Sequence, residues 1–260
     1  MSTEESKQSE GVDTLIFTIG RMNPPTTGHM GLIKQMIEKA IELEKKTTQV
    51  AVILSHSHEK EILKNPLQCK EYKRDLVREM IEELKIQMIE ENKDNREYIE
   101  KIKPVVICMN DEKVPNMYSS IGSLVRKYKP NKMILFIGED RDESFSGIKK
   151  YYENIELQTL KRPEEAMSAT EMRGYASSGN KDDFVKKMLP TGLSEERIDK
   201  LYNTLREVLT DPKNQPKVKA TTTRKRKAAE QEGGRKNRKS KRRLVKTKKN
   251  KNKKSLRRRR

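Results

Sequence analysis

Two short stretches hold the residues whose types and spacing suit chemistry. The first is Gly20-Arg21-Met22-Asn23-Pro24-Pro25-Thr26-Thr27-Gly28-His29, set between the apolar run Leu15-Ile16-Phe17-Thr18-Ile19 and a strongly amphipathic segment. The order reads strand, stiff loop, helix start. A helix start presents unpaired N–H groups and a partial positive charge, which together suit a phosphate. Pro24 and Pro25 stiffen the loop, Thr26 or Thr27 can cap the helix, and Gly28 leaves room for a ligand near the backbone. His29 falls in the first turn, aimed at whatever those N–H groups hold. The second stretch is Met167-Ser168-Ala169-Thr170-Glu171-Met172-Arg173. Ser168 or Thr170 can cap a second helix there, and Arg173 follows about one turn in, a cation placed for an anion. Taken alone, Ser-Ala-Thr-Glu reads equally as a capping box that serves only its own helix.

Neither GxGxxG nor GxxxxGK[ST] occurs, so the dinucleotide fingerprint and the P-loop are both excluded. The first stretch instead resembles the TxGH (or HxGH) signature of the nucleotidyltransferase superfamily, which includes cytidylyltransferases, nicotinamide-nucleotide adenylyltransferases and phosphopantetheine adenylyltransferase. The second resembles the ISSTxxR element of the same superfamily, with Ala169 at the second serine position. Three further stretches follow in the expected order: Ser55-His56-Ser57-His58 with Lys64-Asn65-Pro66-Leu67, then Ile134 to Arg141, then Gly179 to Pro190. The resemblance spans roughly residues 13–190 and leans toward the nicotinamide-nucleotide adenylyltransferase-type domains of large phages and viruses.

That resemblance implies an α/β, Rossmann-like domain with a parallel sheet, and it implies roles. His29 and Thr26 would meet the α-phosphate and the attacking phosphate, with Gly20, Arg21, Met22, Asn23 and Gly28 around the nucleotide. Ser168, Thr170 and Arg173 would hold the β- and γ-phosphates. Gly138, Asp140 and Arg141 would border the base and ribose, unless Asp140 caps a helix beside a turn. Ser55, His56, Lys64, Asn65 and Arg74 are further substrate-binding candidates, and a basic residue in this region would be useful against a triphosphate. Lys64 and Arg74 read equally as solvated helix-flank charges, and His56 equally as a plain loop residue. The implied reaction moves AMP from ATP to a phosphate-bearing small molecule, with nicotinamide mononucleotide first and cytidylyl or phosphopantetheine adenylyl transfer behind it. Mg²⁺ would ride on the nucleotide phosphates, since magnesium seldom uses an all-protein cage.

The residue types suit that reaction independently of the family. In-line attack of a phosphate monoester on the α-phosphorus of a nucleoside triphosphate needs no general base, because the nucleophile is already an anion near neutral pH. It needs alignment and neutralisation of developing negative charge. N–H groups, hydroxyls, one histidine and arginines meet that need and suit hydrolysis poorly. A reading from another class is a catalytically idle nucleotide-binding domain that acts through its C-terminal tail as a nucleic-acid-binding or virion packaging protein. Ala169 and the tail itself keep that reading open.

These motifs sit in a pattern of alternating strands and helices. Strands are expected near 13–20, 49–55, 104–109, 132–138 and 155–160. Helices are expected near 28–45, 69–102 with a break, 116–129, 169–177, 181–188 and 194–209. Such alternation predicts a parallel sheet with helices on both faces and ligands beyond the carboxyl ends of the strands. The charged stretch from Glu82 to Lys103 reads as an insertion or a long exposed helix. The helix near 194–209 is amphipathic and is expected to pack on the domain or on a partner.

Composition divides the chain. Residues 221–260 hold 21 Lys or Arg against Glu230 and Glu232, so the net charge of +19 for the whole chain resides there. The expected organisation is a disordered N-terminus over 1–12, the α/β domain over 13–210, and a disordered polybasic tail over 211–260. Arg224-Lys225-Arg226-Lys227 and Lys241-Arg242-Arg243 suit nucleic acid, another polyanion or nuclear import. The tail has no aromatic residue, so its binding is expected to be blind to sequence. No apolar span approaches the roughly 20 residues of a membrane helix, no signal peptide is visible, and an intracellular site is expected: cytoplasm, nucleus or, for a viral protein, the virion. Cys69 and Cys108 lie far apart in sequence and are not expected to form a disulfide scaffold, nor do they join a zinc-type ligand set. A homo-oligomer is left open.

Overall fold

A computed structural model describes residues 11–43, 47–57, 60–161 and 166–215. The expectations for residues 1–10, for His58 and for the tail basic residues from Arg224 to Arg243 lie outside the described residues.

Five strands, Thr14–Gly20 (β1), Thr48–Leu54 (β2), Val105–Cys108 (β3), Lys132–Gly138 (β4) and Ile155–Leu160 (β5), form one parallel sheet in the order β3-β2-β1-β4-β5. Their apolar runs are continuous because both faces are covered. On one face Ile16, Val50, Val52, Ile134 and Phe136 pack against α1 (Thr27–Glu42), α2 (Arg74–Glu91), α6 (Ala169–Ser178), α7 (Lys181–Met188) and α8 (Glu195–Thr210). On the other, Leu15, Phe17, Ala51, Ile53, Met133 and Leu135 pack against α4 (Met117–Tyr128) and the short α5 (Asp142–Phe145). The chain leaves β1 toward β2 and β3, then returns to lay β4 on the other side of β1. The order of strands therefore reverses at β1 and β4, and the crevice that opens at their carboxyl ends is where such sheets take ligands.

Three expectations change. The stretch from Glu82 to Lys103 is not one long exposed helix. It continues α2 to Glu91, breaks where Asn92 Oδ1 accepts from the Asp94 N–H (3.1 Å), and resumes as α3 (Arg96–Lys101). Leu84, Met88 and Ile99 are buried there. The periodicity is obscured because buried Lys85 occupies an inward position, its amine reaching Glu82 at 3.3 Å. Second, Cys69 and Cys108, 39 residues apart, are joined by a disulfide. Leu54 lies opposite Cys108 in the sheet, so the end of β3 sits beside the chain that follows β2, and only that pairing brings the sulfurs together. Third, the body reaches past the tail boundary expected at 211. The Asn214 and Gln215 side chains donate to the carbonyls of Val208 (2.9 Å) and Leu209 (2.6 Å) and so close the end of α8. At the other end the Val12 N–H donates to the Tyr128 carbonyl at 2.8 Å, within the segment expected to be disordered.

α8 packs on the domain itself. Ile198, Leu201, Tyr202, Leu205 and Leu209 are buried, the Tyr202 ring meets Phe184 edge-on at 5.3 Å, and Arg197 reaches Glu79 of α2 at 2.6 Å. Gly179 ends α6 at φ +85°, a left-handed backbone that favours glycine. Leu205 is fully buried in this interface. Leu205→Ala is expected to lower unfolding free energy by about 3 kcal/mol. A urea melt of the full chain that shifts by less than about 1 kcal/mol would show that α8 is not integral to the core.

Candidate functional site

The loop that follows β1 is held from beneath by side chains that sequence alone does not mark. Asn23 is fully buried. Its Nδ2 donates to Asn65 Oδ1 and to the Leu67 carbonyl (2.9 Å), and its Oδ1 accepts from the Leu67 N–H (3.0 Å). The Asn23–Pro24 peptide is cis, and Met22 is held at φ +44° with its side chain in the core. A left-handed methionine costs of order 1 kcal/mol and persists only where its surroundings over-determine it. Lys73 is part of those surroundings. It is 1% exposed, at the end of a π-helical turn Cys69–Lys73, and its amine donates to the Arg21 carbonyl (2.8 Å) and lies 3.5 Å from the Ser55 carbonyl. The Ser55 N–H in turn donates to the Gly20 carbonyl at 2.8 Å. A nucleotide would therefore meet the backbone of Met22 and Asn23, since both side chains are spent inside the loop, as is that of Asn65.

Thr26 caps α1 in extended conformation and is fully buried. Its N–H donates to His29 Nδ1 at 3.1 Å, and its Oγ1 lies 2.9 Å from the same nitrogen. A backbone N–H only donates, so Nδ1 is the acceptor and the neutral ring carries its proton on Nε2. Thr26 thus orients His29. Gly28, inside the first turn of the helix, needs no special φ, so its contribution is the space a side chain would fill. No acidic residue lies in the first turn of α1, which leaves the positive end of the helix unanswered by its own sequence.

The end of α6 is different. Ser168 Oγ accepts from the Glu171 N–H (3.1 Å) while the Ser168 N–H donates to Glu171 Oε2 (2.9 Å), so Ser168 and Glu171 cap one another. Thr170 Oγ1 accepts from Arg173 Nη2 at 3.1 Å. Arg173 Nη1 then crosses the sequence to donate to the Asn23 carbonyl at 2.6 Å. That bond joins the two motifs. Burial holds the Arg173 guanidinium below the ordinary arginine range, and the nearby Arg21 lowers it further. Arg21 is lowered by burial and by Arg141 beyond β4, with Glu61 opposing in part. Arg21 after β1, Arg141 after β4 and Arg173 of α6 thus place positive charge at the carboxyl edge of the sheet, and arginine keeps its charge there. An open cleft of about 360 Å³ runs along Thr170, Arg173, Gly174 and Ser177 toward Leu63 and Gln215.

The remaining candidates divide. Gly138 ends β4 and Asp140 lies in the turn Glu139–Arg141, beside the same edge. Lys64 stays on the surface, half-exposed and paired with Glu61 at 2.5 Å. Ser55 and His56 lie at the end of β2, and Arg74 opens α2 with Nη1 3.5 Å from Asp111 Oδ2. Lys73 is a residue that sequence reasoning missed. A lysine in a charged helical stretch looks solvated, and only the π-helical turn rotates Lys73 inward.

The sequence matches the cytidylyltransferase-like family over residues 17–227. The chain belongs to that family. It is a nucleotidyltransferase. Among solved structures, this nucleotidyltransferase is similar to a protein assigned as a nicotinate-nucleotide adenylyltransferase from Vibrio parahaemolyticus, at 14% identity and a TM-score of 0.49, covering 76% of this chain and 98% of that one. No curated protein sequence matches it.

Asn23 ties the nucleotidyltransferase loop to residues 65–67, and its loss would leave the Leu67 N–H and Asn65 unpaired. Asn23→Ala is expected to destabilise the protein by about 2–3 kcal/mol and to weaken nucleoside triphosphate binding. Thermal melts with and without ATP read both effects, and an Asn23→Ala protein with unchanged melting and ATP-induced shift would refute this role.

Proposed function

We propose that this nucleotidyltransferase moves AMP from ATP to the phosphate of a small acceptor, nicotinamide mononucleotide first among them, and releases pyrophosphate. The observation that supports the reading is the bond from Arg173 to the Asn23 carbonyl, which joins the second motif to the loop that leads into the acid-free end of α1 and brings Arg173 near Arg21. A triphosphate suits that positive edge. The α1 N–H groups and a neutral His29, donating from Nε2, would receive the charge that grows on the α-phosphate during in-line attack, while Arg173 and Arg21 hold the pyrophosphate that leaves. No proton has to be removed from the attacking phosphate, so the absence of a paired acid and base from these two motifs fits the chemistry. Mg²⁺ supplies further neutralisation when it arrives on the nucleotide. Among the described residues no three His, Cys, Asp or Glu side chains are grouped to hold a cation.

The tail is assigned a separate task. Its charge density suits sequence-blind binding of nucleic acid by counterion release.

Pyrophosphate release from ATP-Mg²⁺ or CTP-Mg²⁺ across a panel of phosphorylated acceptors tests the reaction. Release that depends on nicotinamide mononucleotide and ATP is the expected result, with His29→Ala cutting kcat by about two orders of magnitude. Silence across the panel with ATP binding intact would favour the idle nucleotide-binding alternative. Truncation after Gln215 is expected to abolish salt-sensitive binding of DNA or RNA and to spare pyrophosphate release. Unchanged nucleic-acid affinity in the truncated protein would refute the division.

A further inference from the structure

Four of the eight tyrosines of the chain lie on two short runs, residues 117–130 and 146–152. The same runs carry Arg126, Lys127, Lys129, Lys149 and Lys150 and hold no acid; Glu153 comes only after Tyr152. In a body whose charges otherwise balance, this is a local positive excess laid among aromatic rings. The fold brings the two runs together. The first forms α4, whose Ile121 and Leu124 are buried against the sheet. The second is anchored by buried Ile148, whose carbonyl accepts from the N–H groups of Tyr151 (3.0 Å) and Tyr152 (3.1 Å). The Tyr152 hydroxyl donates to the Tyr118 carbonyl at 3.3 Å, and the Tyr118 and Tyr151 rings meet at 4.6 Å, inclined by 54°. Tyr118, Gly122 and Arg126 follow at four-residue spacing and share one stripe of α4. A Cβ on Gly122 would stand 3.3 Å from Arg126 Nη1 and 3.9 Å from the Tyr152 hydroxyl, so cation and ring lie side by side there. Lys127 stands over the Tyr128 ring at 4.9 Å.

Tyr151 is 67% exposed and Tyr118 40%, so a pair of rings in contact with each other faces water. Core packing does not account for them, and neither does the nucleotide site, because α4 packs on the opposite face of the sheet from α1 and α6. Exposed rings set among cations offer stacking faces and positive charge together, which suits a partner with planar bases and repeated anions. Single-stranded nucleic acid is that partner. A duplex keeps its bases stacked and meets such a surface only through phosphate, and an acidic peptide answers the cations and leaves the rings unused. The basic tail holds no aromatic residue, so it contributes no stacking of its own.

We propose that the Tyr118–Tyr151 pair, with the basic residues of the same two runs, forms a surface that stacks the unpaired bases of single-stranded nucleic acid. The tail then adds phosphate binding that is blind to the bases. This surface is independent of adenylyl transfer, and either can fail without the other. The test is fluorescence anisotropy of the full chain with a dye-labelled oligothymidylate of about 12 nucleotides and with an abasic strand of equal length. Both strands carry the same phosphates, so the ratio of the two affinities reads stacking and cancels the tail. Raised salt weakens the purely electrostatic share. Wild type is expected to bind the oligothymidylate about tenfold more tightly than the abasic strand, and Tyr118→Ala/Tyr151→Ala to bring that ratio to unity. Tyr151→Phe, which keeps the ring, is expected to keep the ratio. Pyrophosphate release is expected to be unchanged in all of these variants. Tyr151→Ala alone, at the more exposed position, carries the test if the double variant does not fold, with at least half of the logarithmic preference lost. A wild-type ratio of one, or a preference unmoved in the alanine variants, overturns the proposal. A ratio of one together with a concentration-dependent dimer in sedimentation that the double variant loses overturns it in favour of an interface between copies of this chain.

Discussion

The hydrogen bond from Arg173 to the carbonyl of Asn23 spans 150 residues of sequence and governs the candidate site. It can form only if the loop after β1 presents that carbonyl outward, and the loop does so because the Asn23 side chain is turned inward onto Asn65 and Leu67. One residue thus faces two ways. Its amide anchors the loop to the segment that follows β2, while its carbonyl receives α6. The consequence is electrostatic. Arg173 is brought toward Arg21, and burial makes the crowding of their charges felt more than it would be in water.

A fold tolerates such crowding where the deficit is met by a ligand, and here the two helix ends at the site are treated differently. The end of α6 is closed by Ser168 and Glu171, which cap one another. The end of α1 has no acid in its first turn and holds His29 by its Nδ1. Anionic charge is therefore better received at α1, with α6 contributing chiefly through Arg173. Ser168, which the motif resemblance places on a phosphate, is occupied in holding the helix that carries the arginine.

Much of this architecture was legible because it is local. The five strands declare themselves as continuous apolar runs bounded by polar residues, which is the pattern of a sheet covered on both faces. The helices α1, α4, α6, α7 and α8 follow from periodicity and caps, and the two motifs from the order of a loop, a cap and a basic residue. Legibility failed where side chains cross between elements. Met22 and Asn23 look like loop residues available to a ligand, yet one is in the core and the other is hydrogen-bonded beneath the loop. Lys73 looks solvated and is buried, because a π-helical turn shifts its position by a fraction of a turn that no 3.6-residue pattern anticipates. The segment from Glu82 to Lys103 looks exposed because its charges mask a narrow apolar stripe.

The amino-acid sequence by itself determined the α/β class, the strand and helix positions, the two loop-and-helix motifs and the division between a neutral body and a tail that carries the net charge. Each of these depends on residues close together in the chain, where spacing, capping and composition act directly. The tertiary structure alone decided that Cys69 meets Cys108, that α8 packs on the domain, and that Arg173 reaches the Asn23 carbonyl near Arg21. Those pairings depend on strand order and register, which join segments by hydrogen bonds between distant parts of the chain and leave no mark in the spacing along it.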